Sequence, residues 1–321
     1  MRLRTFDLQR DYPAVIALWQ AAGLGVHVGP SDRTFFRWAK NSGRKGAQMR
    51  FGFPSALGVI CWALLLCPTA VTGRAQAAAP VVRVPVLMYH HIGQPVGHLA
   101  ENQYYVSPAA FDAQMAYLAG NGFNPISLEQ VLAALQGGAP LPAQPVAITF
   151  DDGNQDNYDL ALPVLEKYHL SATFLIVTGW VGRPGHFTWD EITDMQRAGM
   201  YFGAHTVSHP YLPFLPLASA ALEISSSKAV LEAHLGQPVL VFAFPYGHTA
   251  PSITRLVQAA GFELALGTSP YRVDHTAADR FFLTRLGIYS WTRQPIFEMS
   301  LPVPSVPRPI SAGHRVECNG P

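Results

Sequence analysis

Asp151 and Asp152 are adjacent carboxylates, set in Thr149-Phe150-Asp151-Asp152-Gly153 after an apolar run, Val146-Ala147-Ile148, whose length and β-branching suit a buried strand. Neighbouring carboxylates repel, and the repulsion raises one pKa unless a cation or hydrogen-bond donors hold both ionised. Such a pair is costly without a chemical role. Further along, His205-Thr206-Val207-Ser208-His209 supplies two imidazoles four positions apart, directly after a second short apolar stretch, Tyr201 to Ala204. One carboxylate and two histidines make a three-ligand metal site with open positions. Alone, each motif has an ordinary reading, a solvated Asp-Asp-Gly turn or two unrelated histidines. Their joint occurrence at successive strand ends favours chemistry.

Elements must bring these groups together, and from Val84 the chain alternates short apolar strands with helical stretches, the pattern of an α/β fold with parallel strands. Strands are expected at 84–89, 146–150, 173–177, 200–204, 240–244, 264–267 and 281–289. Helix-like spacing of apolar residues runs from Pro108 to Asn121, Asp156 to His169, Trp189 to Ala198, Ala218 to Leu235 and Pro251 to Ala260. Gly122, Gly199, Gly236 and Gly261 follow four of these stretches, as helix C-terminal glycines do. About seven parallel strands with intervening helices suit a distorted or incomplete (β/α) barrel, in which chemistry gathers at the C-terminal rim. His90, Asp151, Asp152, His205, Pro245 and Tyr246 all follow the last residues of expected strands.

With Thr-Phe ahead of the carboxylates and Thr-x-Ser between the histidines, the set resembles the polysaccharide deacetylases of carbohydrate esterase family 4, the NodB-type homology domain, over roughly residues 84 to 300. The resemblance implies the same barrel. It also implies Asp151 as general base, and Asp152, His205 and His209 as ligands of a divalent metal. Two imidazoles and one carboxylate favour zinc, though cobalt, nickel or iron would accept the same donors. Phe242-Ala243-Phe244-Pro245-Tyr246-Gly247 is similar to the family's third motif, in which the tyrosine main-chain N–H stabilises the oxyanion; that carries to Tyr246.

The chain departs from many members in two places. It lacks an arginine two residues before the Pro-Tyr pair, and it lacks the late Leu-x-His that supplies the acid; Leu283-Thr284-Arg285 stands there instead. The first strand, Val86-Leu87-Met88-Tyr89-His90-His91, resembles the subgroup that deacetylates poly-N-acetylglucosamine and carries its acid at this point. His90 is therefore expected to be the general acid, since a near-neutral imidazolium can protonate a leaving amine. Strand alternation points His91 away from it. Arg285 is expected to replace the missing arginine by pairing with Asp151. Phe187, Trp189 and Tyr211 are candidates for stacking on sugar rings.

Composition fits one globular domain, with 49% apolar and 13% charged residues in 321 positions giving ample core and few solvated runs. A net charge of +1 argues against nucleic acid. Cys61 and Cys67 lie in an apolar segment and Cys318 in the tail, so no disulfide framework or cysteine metal site serves the catalytic region. Residues 49–79 have the layout of a signal peptide: Met49-Arg50, an apolar stretch through Leu66, then Ala75-Gln76-Ala77-Ala78-Ala79. Gly52, Pro54 and Gly58 interrupt it, leaving less than the ~20 residues a membrane span needs, and an uncleaved anchor is the alternative. Residues 1–31 resemble the first strand and helix of a GNAT-type acetyltransferase without its acetyl-CoA loop. Residues 1–48 therefore read as a fragment of a neighbouring frame, with Met49 the start. Residues 301–321 form a Pro-rich tail. The expected protein is an exported, metal-dependent hydrolase removing acetyl groups from N-acetylhexosamine units of a polysaccharide, touching a membrane only if the segment is uncleaved. An O-acetyl carbohydrate esterase and a catalytically inactive carbohydrate-binding barrel are the alternatives.

Overall fold

The computed structural model describes residues 81–95, 102–268 and 270–302. The expectations for residues 1–48, for the segment 49–79 and for the tail beyond 302 lie outside the described residues. Among the described residues no helix is long and apolar enough to cross a membrane.

Seven parallel strands form the main sheet: β1 (Val86–Tyr89), β2 (Pro145–Asp152), β3 (Thr173–Ile176), β4 (Tyr201–Ala204), β5 (Val241–Ala243), β6 (Leu264–Leu266) and β7 (Leu286–Gly287). Their spatial order is β6-β5-β4-β3-β2-β1-β7, and every neighbouring pair is parallel. The helices are α1 (Pro108–Gly120), α2 (Leu128–Leu135), α3 (Leu162–Lys167), α4 (Trp189–Arg197), α5 (Leu217–Leu235), α6 (Pro251–Ala259) and α7 (Gln294–Met299). The result is the distorted (β/α) barrel expected from the alternation of strand and helix.

Its closure is narrow. Leu283 N–H donates to Ala265 O at 2.8 Å and Leu283 O accepts from Gly267 N–H at 2.8 Å, which ties the segment to β6. Three residues later Leu286 and Gly287 pair with Leu87 and Met88 of β1. One short stretch therefore touches both edges of the sheet, and this is why the expected strand 281–289 shrinks to β7: the chain changes partner at Thr284-Arg285, and neither ladder runs through. The expected helix 156–169 is likewise divided, into a π-helical turn at Asn157–Ala161 and then α3. Pro163 explains the break, because it lacks an N–H and crowds the preceding turn. Helix α2 was not anticipated, although Ser127 and Gln130 cap it reciprocally, with Gln130 N–H on Ser127 Oγ at 3.2 Å and Ser127 N–H on Gln130 Oε1 at 2.9 Å.

Alternation along the strands builds two apolar layers. Tyr89, Phe150, Phe174 and Phe202 belong to the large cluster between sheet and helices, with ring centroids 5.3, 4.9 and 6.0 Å apart along the series. Side chains on the opposite face of the strands, Ala147, Leu175, Val241, Ala243, Leu264 and Leu266, belong to the second cluster, inside the barrel. Position 203 of β4 belongs to this inner layer and has no room for a side chain. A Cβ there would lie 2.6 Å from Leu175 Cδ1 and 3.0 Å from Val241 O. Gly203→Ala should lower stability by about 1–3 kcal/mol, measured as a shifted denaturation midpoint. An unchanged midpoint would mean that the layer can yield.

Candidate metal centre

Strand periodicity alone would separate Asp151 from Asp152, because successive side chains point to opposite faces. Asp151 continues the inward series of Ala147 and Thr149, and Asp152 would join Phe150 on the outer face. Instead Asp152 takes φ = 78°, a left-handed conformation uncommon outside glycine, and its carboxylate turns back to the barrel mouth. Both carboxylates then reach one imidazole: His205 Nε2 lies 3.6 Å from Asp152 Oδ1 and 4.0 Å from Asp151 Oδ2.

His205 follows β4, inward by alternation from Gly203. Its Nδ1 bonds to Ala243 O at 2.8 Å, which leaves Nε2 facing the carboxylates. The chain then turns sharply through Thr206 (φ = 69°) and His209 (φ = 59°), bringing His209 Nε2 to 3.6 Å from Asp152 Oδ1. Glu223 of α5 holds this turn, accepting from the Val207 and Ser208 N–H groups at 2.9 Å each and from Ser208 Oγ at 2.7 Å. Sequence reasoning missed Glu223. A lone acid among apolar residues, Ala220-Ala221-Leu222-Glu223-Ile224, gives no local signal of a contact fifteen positions away.

The ligand atoms of Asp152, His205 and His209 all lie within 4.8 Å of one another. Burial pushes both imidazoles down to about 4, so they are neutral and able to donate a lone pair. Asp152 is pushed up to about 7, by burial and then by the charge of Asp151, and its buried Oδ1 has no hydrogen-bond partner. A divalent cation answers each of these conditions: it would bond the orphaned oxygen, offset the repulsion and accept two neutral imidazoles. The donor set fits a metal.

Asp151 has the opposite environment. Burial alone would raise its pKa, but the Arg285 guanidinium, with smaller help from His205, holds it well below the usual carboxylate range. The contact is a fork: Nη1 to Oδ1 at 2.6 Å and Nη2 to Oδ2 at 2.7 Å. Arg285 also donates Nη1 to Thr149 Oγ1 at 3.2 Å and Nε to Gly267 O at 3.1 Å, while Thr149 Oγ1 donates to Leu87 O at 2.6 Å. Arg285 is 2% exposed and Asp151 3%, so this pair is a fully desolvated one.

His90 follows Tyr89, whose partner in the ladder is Phe150, and so lies laterally beside Asp151. Asn154 and Asn157 donate to its carbonyl at 3.3 and 2.8 Å, and its ring meets Tyr104 at 4.6 Å. Burial lowers its pKa to about 4, against the opposing charge of Asp151, so the near-neutral value expected from sequence is corrected. His91 is turned to another partner, its Nδ1 2.7 Å from Asp156 Oδ2 and its ring stacked on Tyr105. Tyr246 sits at φ = 61° in a turn closed by Gly247 N–H on Phe244 O at 2.8 Å, so its own N–H is not spent on that bond. Of the aromatic candidates only Tyr211 is at the mouth, 5.9 Å from Tyr246. Phe187 is wholly buried beside Phe174, and Trp189 stacks on His234 at 3.7 Å, away from the cluster.

Fold and site together define a (β/α) barrel with a metal-ready Asp-His-His cluster and a separately charged carboxylate at its C-terminal rim. The comparisons with known proteins narrow this class. Residues 138–265 match the model of the polysaccharide deacetylase family. YxkH of Bacillus subtilis is 28% identical over 188 residues, an alignment spanning 59% of this chain and 65% of that one. The poly-beta-1,6-N-acetyl-D-glucosamine N-deacetylase of Staphylococcus aureus is 26% identical over 197 residues, covering 57% of this chain and 67% of its own length. Among solved structures, Streptococcus pyogenes deacetylase PplD, in complex with acetate, superposes with a TM-score of 0.64 at 28% identity, over 70% of this chain and 100% of that one. Over the matched residues, 138–265, the barrel is of the polysaccharide deacetylase type.

The desolvated pair should dominate the stability of this rim. Arg285→Met leaves the Asp151 charge buried without its partner, and a loss of about 3–5 kcal/mol is expected at neutral pH. Because the pair depresses the folded pKa of Asp151, its contribution is complete above the unfolded carboxylate value near 4 and is lost as pH falls below it. The gap between wild type and Arg285→Met in denaturant titrations should therefore narrow below about pH 4. A pH-independent gap would assign the loss to packing alone.

Proposed function

We propose that the chain is a metal-dependent hydrolase that removes acetyl groups from N-acetylhexosamine units of a polysaccharide outside the cytoplasm. The observation that carries this reading is the Arg285-held charge on Asp151 beside an Asp152-His205-His209 cluster that wants a cation. A module that only binds sugar needs no ionised carboxylate, forked by a buried arginine, at the edge of a metal site. The match of residues 138–265 to the deacetylase family and the acetate complex of PplD point the same way. The apolar segment 49–79 supports the location.

Asp152, His205 and His209 would hold the ion, with zinc the first choice for this donor set and cobalt, nickel or iron acceptable. Such an ion, when bound, supplies polarisation of the acyl oxygen and acidification of a water molecule. Asp151 accepts the proton of the attacking water; the Arg285 fork fixes its orientation and keeps it ionised until that moment. The Tyr246 N–H, at the left-handed corner of its turn, donates to the oxygen on which negative charge develops. His90 is the donor to the leaving nitrogen. Burial keeps it neutral in the free protein, so the proton it delivers is the one Asp151 takes from the attacking water, passed to His90 as the reaction proceeds.

Metal content and acetate release on N-acetylglucosamine oligomers, compared among wild type, Asp151→Asn and His205→Ala, test the central assignment. Both variants should lose acetate release by at least about a hundredfold, and only His205→Ala should lose metal. Bound metal with no acetate from amide or ester substrates would overturn the reading in favour of a binding barrel. A leaving amine must be protonated and a nitrophenolate need not be. His90→Gln should therefore slow N-acetyl hydrolysis by about 10²–10⁴-fold and hydrolysis of 4-nitrophenyl acetate by less than about tenfold. Equal losses on both would remove His90 from the donor role.

A further inference from the structure

Beyond β7 the chain makes a turn that the chemistry above does not use. Trp291 is 54% exposed, and its ring stacks on Tyr289 with centroids 4.9 Å apart and planes 22° from parallel. The turn beneath is fastened on several sides. Thr292 N–H donates to Tyr289 O at 2.9 Å, Tyr289 N–H to Thr292 Oγ1 at 3.0 Å, and Arg293 N–H to Trp291 O at 2.8 Å. Ser290 N–H reaches Gln103 O at 2.9 Å, and Gln114 of α1 donates to Thr292 O at 3.2 Å.

Tyr289 is folded back over β7. A Cβ on Gly287 would fall 2.5 Å from the Tyr289 ring, so only glycine lets the ring lie there. Ring contacts continue inward, Tyr289 to Tyr104 at 6.0 Å and Tyr104 to His90 at 4.6 Å, ending beside Asp151. An apolar ring that is exposed, fastened and continuous with a reaction site marks a ligand surface rather than scattered surface hydrophobicity. Because the turn is already ordered, little conformational freedom is lost when something stacks on it. A second aromatic group, exposed Phe214 and Tyr246 with half-buried Tyr211 between them, stands on the loops after β4 and β5. In the sheet order β2 lies between β1 and β7 on one side and β4 and β5 on the other, so the carboxylates are flanked by aromatic rings from both directions.

We propose that Trp291, backed by Tyr289, is a platform that stacks on the pyranose ring next to the unit undergoing deacetylation, so that the site recognises a chain of hexosamines rather than a single sugar. The inference deepens the polysaccharide reading and rests on it. The test uses ligands that cannot be turned over: glucosamine and its β-1,6-linked pentasaccharide, titrated calorimetrically into the zinc-loaded full chain. Trp291→Ala should weaken the pentasaccharide about tenfold, at least five times more than the monosaccharide, and Trp291→Phe, which keeps a ring, should recover most of the loss. No measurable pentasaccharide binding by wild type, or equal weakening of the two ligands, would overturn the platform. Acetate release from the corresponding N-acetylated oligomers is scored separately. Trp291-dependent binding without acetate release would keep the platform and remove the deacetylase reading; acetate release with Trp291-independent binding would remove the platform alone.

Discussion

Two carboxylates joined by one peptide bond must do opposite things, and the rim of this barrel is arranged around that constraint. In the function proposed above, Asp151 stays charged without a metal bond and Asp152 remains available for one. Bulk water would treat them alike. Here the difference is imposed by partners: a forked arginine for Asp151, and for Asp152 a buried oxygen without a donor and two neutral imidazoles at 3.6 Å. The same arrangement explains why their pKa values are driven apart, Asp151 far down and Asp152 up to about 7. Interacting groups whose environments separate them in this way are assigned different tasks by electrostatics before any substrate arrives.

Arg285 links this electrostatic division to the fold. It stands where the closing segment leaves β6 and has yet to pair with β1, so the weakest part of the barrel's hydrogen-bonded ring is crossed by a side chain that bonds to Gly267, Thr149 and Asp151 at once. Those three residues belong to the turn after β6 and to β2. The guanidinium therefore does in the seam what ladder bonds do elsewhere, and its strongest part, the charged fork to Asp151, needs that carboxylate ionised. Charge on Asp151 and closure of the rim are coupled.

Much of this was legible in the residue order. Apolar runs of strand length and helical spacing located the seven strands of the main sheet and five helical segments, because burial patterns are local and periodic. The Asp-Asp and His-x3-His motifs were visible for a similar reason, since each lies within a few residues of itself. What escaped was set by contacts distant in sequence or by backbone exceptions. Pro163 could have warned that 156–169 would not be one helix, and Ser127 with Gln130 could have announced α2. Nothing local foretold that Glu223 would brace the His209 turn, or that Phe187 and Trp189, aromatic and close to a motif, would face the core and His234. The burial that lowers His90 to about 4 is a property of its neighbours from other strands, and a reference pKa cannot contain it.

The backbone exceptions share a cause. Asp152, Thr206, His209 and Tyr246 all adopt positive φ without being glycine. A regular strand delivers one inward group every second residue, and its ends fan outward; it cannot gather two adjacent carboxylates, two histidines and a main-chain donor within a few ångströms. Left-handed residues reverse the chain where the strand would carry the side chain away, at a cost of roughly 1–3 kcal/mol each. Glycine would relieve that cost, but at positions 152 and 209 it would remove the carboxylate and the imidazole that make up the cluster. The surroundings must then hold the conformations in place, and they do so with Glu223 under the histidine turn, the Gly247 to Phe244 bond under Tyr246, and Asn154 and Asn157 tying the loop after β2 to the end of β1. The strain at the cluster is balanced by polar contacts one layer out, and substitutions in that layer act on the site through backbone geometry, without touching a reacting atom.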